Sequence, residues 1–199
     1  VVDVNLKIFA VLLINHIIFV LISKCSQCLV DLNMSKISTL EGPSANVTKF
    51  SFALSRLFAS CEALKYVDIS DIDAVNDHVF INIRTMCDSV VKLNVASCNI
   101  TNVGITKIAD FFPNLKYLNI NNVVGALDTG IYQIARRCSN LKTFLCRNCV
   151  QLTDASIIEI LEECHTIQCL VLSNDRRYIN AWGGRIVQFT DKLAIKAMK

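Results

Sequence analysis

An apolar triplet with the spacing L-x-x-L-x-L recurs along the chain and restricts it to one kind of architecture. It occurs at Leu6/Phe9/Val11, Leu29/Leu32/Met34, Leu64/Val67/Ile69, Val90/Leu93/Val95, Leu115/Leu118/Ile120, Leu141/Phe144/Cys146 and Ile167/Leu170/Leu172. Successive starts lie 23, 35, 26, 25, 26 and 26 residues apart. Four consecutive intervals of 25 or 26 residues mean that one supersecondary unit is repeated in series. A unit this short cannot bury its apolar side alone, so neighbours must stack to build a common core.

Each triplet reads as a strand, and each interval carries a helical pattern. The helices close at Cys25, Cys61, Cys87, Phe112, Cys138 and Cys164. Ten residues upstream of each stands Asn15, Ser51, Asp77, Asn102, Asp128 or Asp154. All are types whose side chains accept from a helix's unpaired first-turn N–H groups, which predicts N-caps there. Helical spacing of Ile131, Ile134, Ala135 and Cys138, and of Ile157, Ile160, Leu161 and Cys164, gives each helix one core stripe. Arg84 falls where Ala135 stands in its own unit, and must turn outward.

Two insertions break the period. Residues 35–47, containing Gly42-Pro43, read as a surface loop. Residues 173–189 lengthen the last unit, placing Asp191 where a final helix would open. The whole of 1–199 reads as a single repeat domain whose ends look cut and whose solenoid caps are missing.

Composition narrows the function. A formal charge of +3 with no basic block argues against nucleic acid as a partner. The hydrophobic fraction of 53% and mean hydropathy of +0.44 require extensive burial. Ile8–Ile22 holds thirteen apolar residues in fifteen, with Asn15 and His16 at its centre. It is short of the roughly 20 residues a membrane span needs, and it parses as a degenerate first repeat. A targeting or membrane segment is the other reading of that stretch. Ten cysteines at repeat-determined positions indicate reduced thiols, hence the cytosol or nucleus. The sequons at Asn33, Asn46 and Asn99 point the other way, toward secretion.

The pattern L-x-x-L-x-L-x-x-C/N followed by a helix ending in Cys resembles the cysteine-containing class of leucine-rich repeats. Cys98 and Cys149 occupy the C/N position, with Ile37, Ile72 and Val123 substituting elsewhere. The segments CRNCVQLTDASIIEILEEC and CSNLKTFLCRNC carry the likeness most clearly. This class is best known from F-box leucine-rich-repeat proteins, substrate receptors of Skp-cullin-F-box ubiquitin ligases, and from antagonist-of-mitotic-exit proteins. The resemblance implies an α/β horseshoe solenoid of about seven parallel strands on the concave face and helices on the convex face. It also implies a non-catalytic protein-recognition role, without cofactor or metal. No F-box motif stands in residues 1–199, so contact with the Skp adaptor and cullin is expected only where an F-box precedes Val1. A repeat-only cell-cycle or signalling regulator, and a membrane-anchored or secreted receptor, are the alternatives.

Other chemistry fits poorly. The C-x-x-C pairs Cys25/Cys28 and Cys146/Cys149 would lie four strands apart, roughly 19 Å at about 4.8 Å per strand. Zinc–sulfur bonds of about 2.3 Å cannot span that. Helix-end cysteines on neighbouring helices, about 8–10 Å apart, exceed disulfide reach. Adjacent Cys164 and His165 do not face each other at a helix end.

Strand alternation places two rows on the concave face: Asp31, Tyr66, Lys92, Tyr117, Thr143, Cys169, and Asn33, Asp68, Asn94, Asn119, Leu145, Val171. A protein substrate or regulator is expected there, contacting Tyr66, Asp68, Asn94, Tyr117, Asn119, Leu145, Arg147 and Val171. Arg176, Arg177, Tyr178 and Trp182 in the 173–189 loop are of types enriched at binding hot spots, and would grip the same partner. Trp182 has a competing role as a plug for the last repeat.

Overall fold

Each repeat begins with a strand because a β-branched or leucine side chain at its centre must point into the core while its neighbours point away. In the computed structural model, which describes residues 2–5, 18, 20, 24, 26–37, 45–172 and 195–196, this yields β1 Val2–Asn5, β2 Leu29–Asn33, β3 Tyr66–Asp68, β4 Lys92–Asn94, β5 Tyr117–Asn119, β6 Thr143–Leu145, β7 Cys169–Val171 and β8 Ile195–Lys196. The helices are α1 Ala45–Ser60, α2 Asp77–Ile81, α3 Asn102–Phe111, α4 Asp128–Arg137 and α5 Asp154–Glu163. The strands form one sheet in the order β1-β2-β3-β4-β5-β6-β7-β8, parallel from β1 to β7. Helical crossovers between successive strands account for the parallel pairing.

Six of the seven expected strands stand where the triplets place them, and their apolar positions are buried in one continuous core. The strand expected at Leu6/Phe9/Val11 requires correction. β1 ends at Asn5 and pairs Asp3 with Asp31 and Asn5 with Asn33. Asp3-Val4-Asn5 repeats the pattern of Asp31-Leu32-Asn33, a likeness that the more apolar triplet downstream obscured. Leu6, Phe9, Val11 and Asn15 lie outside the described residues.

The third residue after each of β2–β6 adopts a left-handed backbone: Lys36, Asp71, Ser97, Asn122 and Asn148 have φ between 56° and 62°. Asp and Asn tolerate this conformation better than most side chains, and it turns the chain out of the sheet toward the helix. Between strand and helix the backbones of neighbouring repeats come so close that a Cβ on Gly125 would stand 2.9 Å from Thr101 Cα. Only glycine fits there.

The helix starts differ from expectation by one residue. The N-caps are Asn76, Thr101, Leu127 and Thr153, so Asp77, Asn102, Asp128 and Asp154 are the first helical residues. The side chains of Asp77, Asn102 and Asp128 reach instead to the following repeat. Asp128 accepts from the Thr153 N–H at 2.8 Å and the Thr153 hydroxyl at 2.5 Å, and Asn102 donates to the Thr129 hydroxyl at 3.0 Å. Ser51, also read as a cap, lies inside α1, where its hydroxyl donates to Asn76 Oδ1 and Ala74 O, both at 3.4 Å. Side chains that look like caps in the sequence thus connect neighbouring repeats.

Three helix ends match expectation, Phe112, Cys138 and Cys164 being the C-cap residues of α3, α4 and α5, whereas the end expected at Cys87 is corrected to Ile81, with Asn82 as the C-cap of α2. α2 stops after five residues, leaving Arg84 in the exposed segment that follows. Phe58, Phe80 and Phe112 from successive repeats stack in the core, with ring centroids 5.3–6.4 Å apart. Aromatic contacts of this geometry add about 0.5–1.5 kcal/mol each beyond area burial.

The far end of the sheet also differs. Asp191, where a final repeat helix is expected to open, lies outside the described residues, and Ile195–Lys196 form β8, antiparallel to β7, pairing Cys169 with Lys196 and Leu170 with Ile195. No helix among the described residues is long and apolar enough to cross a membrane.

Candidate protein-binding face

The two rows read from strand alternation are the rows that the sheet forms. Asp31, Tyr66, Lys92, Tyr117, Thr143 and Cys169 are paired in register across six strands, as are Asn33, Asp68, Asn94, Asn119, Leu145 and Val171. Between them lie Leu32, Val67, Leu93, Leu118, Phe144 and Leu170, all buried beneath the helices. The face itself is open, with Tyr66 41% exposed and Lys92 also exposed.

Tyr66, Lys92 and Tyr117 form the centre of the first row. The Lys92 ammonium lies 4.9 Å from the Tyr117 ring centroid, within cation–π distance. Burial raises the Tyr117 hydroxyl's pKa above its ordinary value, and the Asp68 charge raises it further, while Asn119 opposes both. Tyr117 is therefore a neutral donor at physiological pH.

The second row is occupied internally. Asn33 Oδ1 accepts from the Ser35 N–H at 3.0 Å, Asp68 Oδ1 from Ser70 at 3.1 Å, Asn94 Oδ1 from Ala96 at 3.2 Å and Asn119 Oδ1 from Asn121 at 3.0 Å. An Asn or Asp that bonds its own backbone two residues on is closing a turn, here the exit from each strand. Asn94 Nδ2 also donates to Asp68 Oδ2 at 3.0 Å, joining two repeats. Asp68, Asn94 and Asn119 sit on the expected face, but their acceptor groups serve the turns, and Asn119 is only 9% exposed.

Leu145 interrupts this row and cannot cap its own turn. The Arg147 N–H, which an Asn at 145 would have served, instead donates to Asn121 Oδ1 of the preceding repeat at 2.6 Å. A parallel ladder follows one position on: Asn148 Nδ2 donates to Asn122 Oδ1 at 2.8 Å, and Asn122 Nδ2 to Ser97 Oγ at 3.0 Å. Leu145 and Cys169 remain half-buried on the open face, and Arg147 is exposed. Val171 is corrected: it is only 7% exposed, in a strand that β8 and β6 flank on both sides. Arg176, Arg177, Tyr178 and Trp182 lie outside the described residues.

Cys87, Cys98, Cys138, Cys146, Cys149, Cys164 and Cys169 are thiols outside any disulfide. Their placement explains why the repeat uses cysteine. Cys87 Sγ donates to Phe58 O at 3.7 Å, Cys138 to Phe112 O at 3.4 Å and Cys164 to Ala135 O at 3.5 Å. The last carbonyls of a helix lack partners within it, and the next repeat's thiol supplies a weak donor. Cys98 and Cys149 do the same for Ile69 O and Ile120 O, both at 3.2 Å. Burial pushes Cys87, Cys98, Cys138 and Cys149 up to about 12 and Cys164 up to about 11. Burial thus keeps them protonated in the folded chain, where they act as packing groups.

One set of exposed residues went unremarked in the sequence. Lys65, Lys116 and Lys142 occupy the first x of L-x-x-L in three repeats, immediately before the face row. The lysine recurrence at that position was the available signal.

No protein-family model matches the chain, and no curated protein matches it. Among solved structures, the crystal structure of the Rad7 and Elc1 complex in yeast shows a likeness at 14% identity and a TM-score of 0.47, covering 70% of this chain and 42% of that one. The chain therefore spans less than half the length of that neighbour.

Proposed function

We propose that this chain is a protein-recognition module whose contact surface is the open face of the sheet. The observation that carries the reading is the row Tyr66, Lys92, Tyr117, over which no helix or strand among the described residues packs, on a parallel sheet whose other side is packed under helices. Parallel sheets ordinarily have both faces covered, and tyrosine is enriched where partners bind. The role is recognition, without catalysis, metal or cofactor. The finer reading is that the repeats hold the substrate of a Skp-cullin-F-box ubiquitin ligase, directing it to ubiquitin-dependent degradation in the cytosol or nucleus. Supporting this are the resemblance of Cys138–Cys164 to cysteine-containing repeats and the recurrence of buried thiols at helix ends and turns. Affinity purification of the full-length protein tests it: co-recovery of the Skp adaptor and cullin is expected. Partner proteins without either would favour a repeat-only regulator.

A further inference from the structure

Three basic side chains on the helical side of the molecule are paired with carboxylates. Lys107 pairs with Asp110 at 2.9 Å, Arg137 with the same carboxylate, and Arg136 with Glu159 at 2.8 Å. The strand-start edge of the sheet is different. The backbone ladder there runs from Lys65 through Val91 to Lys116 and Lys142: Val91 and Lys92 donate to Lys65 O, Lys116 to Val91 O, and Lys142 to Lys116 O, at 2.8–3.0 Å. Strands in such a ladder lie about 4.8 Å apart, so Lys65, Lys116 and Lys142, with Val91 between the first two and Lys92 one residue further along its strand, gather on one short stretch of the edge. Lys65, Lys92, Lys116 and Lys142 are all exposed, and none forms an ion pair with another described residue. Lys92 is held over the Tyr117 ring, and Tyr66 is its register neighbour on the other side.

We infer that this edge selects the partner by charge: it takes an extended, carboxylate-rich protein segment laid across β3–β6, with Lys92 as the central anchor. The inference rests on the protein-recognition reading above and specifies its chemistry. Spaced lysines beside tyrosine rings suit carboxylates alternating with uncharged residues. Asp31 and Asp68 share the face, so the positive charge is interrupted, which suits spaced carboxylates better than the unbroken charge of a polyphosphate backbone.

Fluorescence anisotropy on the full chain tests this, using a short labelled peptide of alternating Glu and Ser, its Gln–Ser counterpart, and a thymidine oligonucleotide of equal length. The Glu peptide should bind, weaken with added salt, and bind about tenfold less tightly to the Lys92→Glu/Lys116→Glu variant. Lys49→Glu, exposed on α1, should leave it unchanged. Binding insensitive to salt or to the double reversal overturns the proposal, as does a preference for the oligonucleotide or for the Gln peptide. A photo-cross-linker at Tyr117 separates two failures. A protein adduct there that survives the charge reversal leaves the face as an interface and removes the acidic class, whereas no adduct removes both.

Discussion

The Asp77 carboxylate caps a helix in the repeat that follows its own. Asp77 Oδ1 accepts the Thr101 N–H at 2.8 Å and the Gly104 N–H at 3.0 Å, while Oδ2 accepts the Thr101 hydroxyl at 2.6 Å. Thr101 in turn accepts from the Val103 N–H at 3.2 Å. The first turn of α3 is thus satisfied jointly by its own N-cap and by α2, so folding one repeat presupposes its neighbour.

This arrangement predicts an unusual response at Gly104. Replacing a helical glycine by alanine ordinarily gains about 1 kcal/mol. A Cβ on Gly104 would stand 2.5 Å from Oδ1 of Asp77, whose carboxylate is held in place by three hydrogen bonds, two of them to Oδ1. Gly104→Ala is expected to cost about 1–3 kcal/mol, and Asp77→Ala about 1–2 kcal/mol. In urea unfolding the double variant should be less destabilised than the sum, because removing the carboxylate removes the clash. Strict additivity would mean that the carboxylate does not hold this position.

α4 lacks the device. Its N-cap is Leu127, which makes no side-chain bond, and Asn102 Oδ1 is left buried without a partner. Leu127→Thr restores the residue found at 101 and 153, supplying an acceptor for the helix and a donor toward Asn102. A gain of about 1 kcal/mol is expected, raising Tm by several degrees. An unchanged or lowered Tm would contradict the shared-cap account.

The buried thiols set the alkaline limit. Cys87, Cys98, Cys138 and Cys149 sit at about 12 in the folded chain against an ordinary 9.0. As pH rises above 9 the unfolded chain releases these protons while the folded chain retains them. Stability is therefore full below about pH 9 and lost toward pH 12, by roughly 1 kcal/mol per thiol for each pH unit. Denaturant midpoints measured from pH 8 to 11 should fall steeply above 9. Replacing Cys138 with Ala, at some packing cost, should make the fall shallower; an unaltered slope would exclude the thiols as its source.

The period of leucines was enough to place β2–β7 and both face rows, because burial on one side of a strand leaves a mark at every second residue. The cap residues were misread for a physical reason. Asp and Asn at the first helical position carry the same acceptors as an N-cap, and only three-dimensional stacking reveals that Asp77 and Asp128 point to the next repeat. The row Asn33, Asp68, Asn94, Asn119 had the composition of a recognition surface, yet its carboxylate and amide oxygens are committed to strand exits. The bare period could not separate those uses. The lysines at 65, 116 and 142 were visible as letters, but their lack of acidic partners was not.

The most direct test of the central claim compares the two sides of the molecule. A p-benzoylphenylalanine placed at Tyr117 lies on the open sheet face, and one at Tyr132 lies on α4, on the helical side. On irradiation of the full-length protein in cells, the account predicts discrete protein adducts from position 117 and none from 132. Adducts from 132 alone, or equally from both, would contradict it.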